Sequence, residues 1–320
     1  MHQSQSFQAQ SHRAEYPLLS FAVPIYNGEH LIGHLLDSLL AQDFDNFEIV
    51  ISDNASTDRT GEICQEYARR DRRIRYFRNP ENIGLMPNFN RLIDLAQGKY
   101  MRWIGGDDWL EPDYARKCIA AIEARPDVIG VTTYQDFLNE DGSQDYVEYR
   151  GARLDSPSVY KRFARMIWFT YHDPRYIDPI YTMVRRDMLQ KTGGHRLDIF
   201  AADQVLAVEM SILGAFTHVP ECLAHRGKAS APLTYDDLLR QNFNENYAKV
   251  QQQKFWDLIL AFWSTLDKFQ QNPIVKVRCF FPLAKLFLIV YPRQQKTRLK
   301  RQLVLMKRAW FEPAIRSTSQ

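Results

Sequence analysis

Residues 101–112, MRWIGGDDWLEP, run from a short apolar strand into two glycines, then into the adjacent carboxylates Asp107 and Asp108, and through Trp109 to a helix start at Pro112. Two acids on a tight Gly turn at the carboxyl edge of a parallel sheet form an open, oxygen-only site. Mg²⁺ or Mn²⁺ prefers such a site when a phosphate completes the coordination shell. A plainer alternative is that both acids only end the strand and cap the helix that follows.

Upstream, residues 18–24 (LLSFAVP) and 47–52 (FEIVIS) are apolar runs without alternation, as expected for strands buried on both faces of a parallel sheet. Between them, residues 30–42 carry a helical pattern with Leu31, Leu35, Leu36, Leu39 and Leu40 on one side. Asn54 to Thr60 opens a helix reaching Arg70, 73–78 reads as a third strand, 86–96 as a helix and 100–104 as the fourth strand. A helix over 112–124 and a fifth strand over 128–134 follow. This alternation predicts βαβ units with right-handed crossovers. In a half-sheet ordered 3-2-1-4, the loops after strands one, two and four emerge side by side, so Tyr26, Asn27, Asp53, Asp107 and Asp108 should line one cleft. A nucleotide lying across it would place its base near Asp53 and its phosphates near Asp108.

After Tyr134 the regular alternation stops. A hairpin-like turn over 139–142, a helix over 156–168, a strand over 179–185, a short helix ending at Gly193 and Gly194, and a helix over 201–213 suit an acceptor-binding half, with brief strands at 216–219 and 223–225. Past Thr234 the pattern is helical. The expected divisions are a disordered leader at 1–16, a catalytic domain at 17–232, split at 134 into nucleotide-binding and acceptor halves, and a helical region at 233–320.

Bulk composition narrows the function classes. A net charge of +3 over 320 residues is too small to argue for nucleic acid. Cys64, Cys118, Cys222 and Cys279 stand far apart without C-x-x-C or Cys/His metal spacing, so buried thiols in a reducing compartment are expected. No signal peptide is evident, and no apolar stretch reaches the about 18–20 residues of a membrane span.

Four motifs in order resemble those of the family 2 glycosyltransferases, inverting enzymes with the GT-A nucleotide-diphospho-sugar fold. PIYN at 24–27 is similar to the family's P-x-Y-N, and SDNASTD at 52–58 to its D-[DN]-x-S-x-D. The third is the block at 82–112 that ends in GGDDWLEP. The fourth, GGHRLDIFAADQVLAVEMSILG at 193–214, is similar to its G-G-[FY]…E-D-x-x-L block. The resemblance implies that Asp53 and Asn54 meet the base, with Pro24, Tyr26 and Asn27 around the nucleoside. It also implies that Asp107 and Asp108 hold a diphosphate-bound Mn²⁺ or Mg²⁺, and that Asp203 is the catalytic base. Three positions depart from the pattern. Gly105 replaces the first acid of D-x-D-D, Ala202 replaces the Glu of E-D, and Lys228 stands where a metal-binding His often falls. As an ammonium, Lys228 would contact the diphosphate directly and leave the metal mainly to Asp108.

The chemistry needs these residue types in any case. The sugar leaves as an oxocarbenium-like centre while charge grows on the diphosphate, and an acid must take the proton of the attacking hydroxyl. The expected activity is inverting transfer from a UDP-sugar to a saccharide or lipid-linked acceptor in polysaccharide or glycolipid synthesis. The alternative is a catalytically impaired nucleotide-sugar-binding or scaffold protein. A nucleotidylyltransferase would need a Gly-rich loop in place of PIYNGEH, and an NAD-dependent oxidoreductase would need G-x-G-x-x-G there.

Other residues keep two readings. Trp103, Trp109 and Tyr26 either stack on a sugar or base or belong to the core. His195 and Arg196 either meet the substrate or lie on a surface loop. Apolar and aromatic residues flanked by Lys and Arg between Phe255 and Trp310 suit a helix in an anionic membrane interface, an appendage packed on the catalytic domain, or a homodimer contact. The expected location is the cytoplasm, with peripheral attachment to the inner face of the cytoplasmic membrane left open.

Overall fold

The computed structural model describes residues 16–138, 142–148, 153–172, 182–227, 250, 254–290 and 292. The strands β1 (Leu19–Ile25) and β2 (Phe47–Asp53) are buried along their whole length, as their unbroken apolar runs require. They pair in parallel, and β2 pairs in parallel with β3 (Ile74–Arg78). On its other side β1 pairs in parallel with β4 (Tyr100–Trp103), which gives the expected order β3-β2-β1-β4. The helices between them are α1 (Ile32–Leu40), α2 (Thr60–Arg70) and α3 (Leu85–Leu95). Leu31 falls outside α1, at its N-cap, and is exposed, whereas Ile32, Leu35, Leu36 and Leu39 are buried.

Beyond β4 the sheet becomes mixed. After β5 (Trp109–Leu110) and α4 (Tyr114–Glu123) come β6 (Val128–Leu138) and β7 (Gln144–Val147), an antiparallel pair whose register fits the hairpin read at 139–142; residues 139–141 lie outside the described set. Then follow α5 (Val159–His172), β8 (Met183–Arg185), α6 (Arg186–Thr192), α7 (Ala202–Leu213) and β9 (Ala215–Arg226). The strand order continues β4-β8-β6-β9-β5, with β6 parallel to β9 and with β8 and β5 antiparallel to their neighbours. Two sequence expectations change here. The segments at 216–219 and 223–225 are one strand with irregular register, and Trp109–Leu110, read as the approach to a helix, is a strand that pairs with β9.

Successive residues along the central strands face opposite helix layers. Phe21, Val23, Ile49 and Ile51 join the cluster under α1, α2 and α4, whereas Ala22, Val50, Met101 and Trp103 join the one under α3, α5 and α7. The second cluster also takes in α8 (Phe255–Phe269) and a further helix, α9 (273–290), through Ala261, Phe262, Leu266, Cys279, Leu283 and Leu286. The described part of the C-terminal region is thus packed on the catalytic core, with Lys268 of α8 donating to the Thr192 carbonyl at 2.9 Å. No helix among the described residues is long and apolar enough to cross a membrane.

Away from the loop rim, one buried acid ties the strand starts together. Glu48 Oε1 accepts from Ser20 Oγ and from the Gln97 amide, each at 2.6 Å, and Oε2 accepts from Arg75 of β3 at 2.7 Å. Breaking a pair by removing one buried partner leaves polar groups uncompensated. Glu48→Ala should therefore lower the unfolding free energy by about 2–4 kcal/mol in urea denaturation, against less than ~1 kcal/mol for the exposed Glu62→Ala.

Candidate functional site

The carboxyl ends of β1, β2 and β4 open onto one rim. The loop after β1 is knitted to the loop after β2. The Asn27 amide donates to Ser56 Oγ at 3.0 Å, Asn27 Oδ1 accepts the Thr57 amide at 2.8 Å, and the Gly28 amide donates to Thr60 Oγ1 at 2.8 Å. Asn27 holds φ +50°, a conformation Asn tolerates better than most residues. The Ile25 side chain sits between this loop and the Asp107–Asp108 turn, and a Cβ at either Gly28 or Gly106 would come within 2.5 Å of Ile25 Cδ1.

The turn itself folds back on its glycine. Asp108 Oδ2 accepts the Gly105 amide at 3.0 Å. A Cβ at position 105 would lie 3.0 Å from Asp107 Oδ1 and 2.9 Å from Asp108 Oδ2, so both carboxylates converge on the space that Gly105 leaves open. Burial raises the Asp107 pKa and pushes that of Asp108 up to about 7, with Asp107 adding to the latter. Arg226 opposes both shifts, and the buried Arg102 adds to its effect on Asp108.

Asp203 lies in the first turn of α7, behind an N-cap residue, Ala201, held at φ +63°. Burial raises its pKa, backbone hydrogen bonds oppose the rise, and Arg226 again pulls it down. One guanidinium at the end of β9 thus acts on Asp107, Asp108 and Asp203 together, although these acids come from two distant stretches of sequence. Gly227, the next residue, packs directly on the turn: a Cβ there would stand 2.2 Å from the Asp107 carbonyl oxygen. Lys228 follows at once but lies outside the described residues.

Of the nucleoside-side residues, Pro24, Tyr26 and Asn27 belong to β1 and its loop, beside β4, whereas Asp53 and Asn54 end β2, two strands from the acid turn, about 10 Å by ordinary strand spacing. Pro24 is buried within β1, opposite Ser52. The Asp53 carboxylate is fully buried and engaged, accepting from the Ser56 amide at 2.8 Å, from Tyr76 Oη at 2.6 Å and from Arg78 at 2.9 Å. Asn54 is likewise enclosed, donating to Asn82 and to the Gly84 carbonyl and accepting from Asn79 and the Ile83 amide. Tyr26 and Asn27 are the exposed members of the set. The Arg78 side chain, about half exposed, carries the Asp53 contact out to the surface.

The two-way readings separate here. Trp103 is core: it is fully buried, its Nε1 donates to the Phe89 carbonyl at 3.1 Å, and its ring lies 5.2 Å from that of His195. His195 is no surface residue. It is 2% exposed between Trp103 and Phe89, and burial pulls its pKa down to about 3. Arg196 pairs with Asp198. Trp109 stacks on His225 at 5.1 Å, with His34 at its edge. Arg226 is not among the residues that the sequence singles out; its only signal there is a cation one strand length after the Asp203 helix.

The family model for Glycosyl transferase family 2 matches residues 20–193, more than half of the chain. Among curated proteins, the chain is 37% identical over 180 residues to an uncharacterized glycosyltransferase, EpsJ, of Bacillus subtilis, covering 55% of this chain and 50% of that one. It is 36% identical over 124 residues to the glycosyltransferase GlyA of Streptococcus pneumoniae, covering 39% and 18%. In both cases less than two-thirds of the relative's length is spanned. Among solved structures, S. aureus TarS in complex with UDP-GlcNAc superposes with a TM-score of 0.62 at 18% identity, covering 84% of this chain and 72% of that one. This likeness establishes the GT-A fold.

The contact between Gly227 and Asp107 can be tested directly. Gly227→Ala should force the acid turn to shift, lowering the unfolding free energy in urea denaturation by about 1–3 kcal/mol, the usual cost of overpacking. Gly33→Ala, whose Cβ would have its nearest neighbour at 3.8 Å, should not lower it.

Proposed function

Because the chain belongs to glycosyltransferase family 2, we propose that it transfers a sugar from a nucleotide-diphosphate donor, UDP-linked, to a hydroxyl of a saccharide or lipid-linked acceptor, with inversion at the anomeric carbon. The observation that carries this reading is the convergence of the Asp107 and Asp108 carboxylates on the space beside Gly105, at the carboxyl rim of the parallel strands. Polysaccharide synthesis is the setting suggested by relatives such as the chondroitin synthase of Pasteurella multocida, 32% identical over 167 residues.

Asp108 and Asp107 would hold the divalent cation, and the fit rests on their donor chemistry. They offer hard carboxylate oxygens converging on one open spot, with the pKa of Asp108 pushed up to about 7 by burial. A bound Mn²⁺ or Mg²⁺ supplies stabilisation of the negative charge growing on the departing diphosphate. Arg226 lies on the same side and adds a fixed positive charge, and Lys228, one residue past Gly227, is assigned to the diphosphate oxygens. Tyr26 and Asn27 form the exposed wall for the nucleoside. Pro24, Asp53 and Asn54 shape that wall from beneath, Asp53 by holding Tyr76 and Arg78.

Asp203 acts as base. As the acceptor oxygen bonds to the anomeric carbon, its proton passes to the Asp203 carboxylate, and the bond from that carbon to the diphosphate oxygen breaks with its electron pair on the leaving nucleotide. Burial raises the basicity of Asp203, which suits proton removal near neutral pH. No covalent link to the enzyme forms.

The exposed apolar residues of α8 and α9, including Trp256, Leu260, Phe280 and Phe281, stand on helices that also expose Arg278 and Lys285. This combination supports attachment to an anionic membrane surface near a lipid-linked acceptor. Co-sedimentation with phosphatidylglycerol vesicles should be strong, should weaken in salt, and should fall in Phe280→Ser/Phe281→Ser. Equal partition with neutral vesicles would refute the attachment.

A thermal-shift and turnover panel of nucleotide sugars with Mn²⁺ tests the catalytic reading. Asp203→Asn should keep the donor-induced shift while kcat falls by about 10²–10⁴-fold, the usual contribution of general base catalysis. Asp108→Ala should lose the manganese-linked part of the shift. Binding without turnover across a broad acceptor panel would favour the scaffold alternative.

A further inference from the structure

A second cluster of metal-ligand type lies on the β6–β9 pair, made from residues that the transfer reaction leaves unused. The parallel register slips where Tyr134 pairs with Cys222, Gln135 with Ala224 and Asp136 with His225, so Leu223 is an extra residue on β9. In a regular strand, positions three apart face opposite sides. The bulge rephases β9, and Cys222 and His225 come to the same side as Asp136. Their ligand atoms, Asp136 Oδ, Cys222 Sγ and His225 Nδ1, all lie within 4.8 Å of one another.

The hydrogen-bond count around His225 is the second observation. Its Nδ1 lies 2.8 Å from Asp136 Oδ1 and its Nε2 lies 2.8 Å from Glu111 Oε1. A carboxylate can only accept, and a neutral imidazole carries one N–H. Both contacts are met only if one further proton or a metal ion joins the Asp136–His225–Glu111 group. With a metal on Nδ1, the Nε2–H donates to Glu111, the carboxylate–histidine–metal relay that fixes the ring of a ligating histidine. A protonated ring would account for the two carboxylates but would give Cys222 no part in the cluster.

We propose that Asp136, Cys222 and His225 bind Zn²⁺, at a site distinct from the carboxylate pair of the acid turn. A thiolate, an imidazole and a carboxylate form the borderline donor set that zinc takes in tetrahedral geometry, whereas Mg²⁺ and Mn²⁺ favour oxygen alone. Ligand atoms around tetrahedral zinc stand roughly 3.3–3.7 Å apart, given bonds of about 2.0–2.3 Å. The cluster therefore closes on the ion by a movement on the order of an ångström. The bound ion would lock β6 to β9. Through Glu111 and the Trp109–His225 stack, it would also fix the segment that directly follows Asp108.

The test is cobalt substitution, which reads the sulfur ligand without any activity assay. The full-length chain, stripped with a chelator under reducing conditions, is titrated with Co²⁺. A thiolate-to-cobalt absorption band in the near ultraviolet is expected, displaced by Zn²⁺ and retained in Asp107→Ala/Asp108→Ala. Cys222→Ser should abolish the band, Cys64→Ser should keep it, and Glu111→Gln should weaken Zn²⁺ binding by about 10–100-fold. Circular dichroism checks that each variant folds. Should a variant not fold, zinc content of the stripped and reloaded wild type by mass spectrometry decides, with one tightly held zinc expected per chain. No thiolate band, or a band that survives Cys222→Ser, overturns the site. Neither result bears on the acid turn or on sugar transfer.

Discussion

Two neighbouring carboxylates at the end of a buried strand are costly to ionise: burial raises both Asp107 and Asp108, and Arg226 opposes the rise in each. Asp108 is 2% exposed, and its buried neighbour Arg102 is committed at 2.9 Å to the Tyr114 hydroxyl. The charge that reaches the whole acid group arrives from β9, the strand parallel to β6 and antiparallel to β5. The position of β9 is therefore what the site depends on. β5 pairs Trp109 with His225 and Leu110 with Ala224, which holds the residues just past the acid turn against the strand that carries the guanidinium. Gly227 then lies close enough to the Asp107 carbonyl to exclude any side chain. The mixed half of the sheet thus serves mainly to return one cation to the edge of the parallel half.

This division explains which parts of the molecule the sequence reveals. β1, β2 and β4 are legible because strands buried on both faces have to be apolar throughout, and their order follows from crossover handedness. β5 is two residues long and has no periodicity of its own. It exists because β9 is beside it, and nothing near Trp109 encodes that. β9 reads as two short strands because Pro220 and Glu221, left out of the register between Val219 and Cys222, break the alternation on which a strand reading depends. The acid turn is legible as a motif, but the cation that makes it tolerable is not, since Arg226 is some 120 residues away in sequence and resembles any basic residue at a strand end. Asp53 and Asn54 show the converse: their motif is plain, yet each side chain spends its hydrogen bonds on the protein, a fact that only the packing of Tyr76, Arg78, Asn79 and Asn82 reveals.

The helix layer over α7 follows the same logic of covering a costly group. Glu209 is 4% exposed and is pushed up to about 7 by burial, with Lys268 of α8 and Arg196 opposing the shift. α8 seals this acid by packing Phe262 and Leu266 into the cluster that includes Val205, Leu206 and Val208. The N-terminus of α7, where Asp203 sits, is held from behind by the same contacts. On the other side, His195 fills an aromatic-sized place between Phe89 and Trp103. A histidine serves there because burial keeps it neutral and Asn90 Oδ1 accepts from its backbone amide at 2.6 Å.

The departures from the family pattern at Gly105 and Ala202 can be weighed by the same rules. A third acid at 105 would bring its Cβ within about 3 Å of Asp107 Oδ1 and Asp108 Oδ2, adding negative charge where burial already resists the two present. Ala202 is 1% exposed within the large apolar cluster, and a glutamate there would bury a carboxylate with no cation assigned to it. Gly105 and Ala202 are therefore the residues this packing favours. They leave the Asp107 and Asp108 carboxylates converging on the space beside Gly105, with no third acid to add to the cost of their burial.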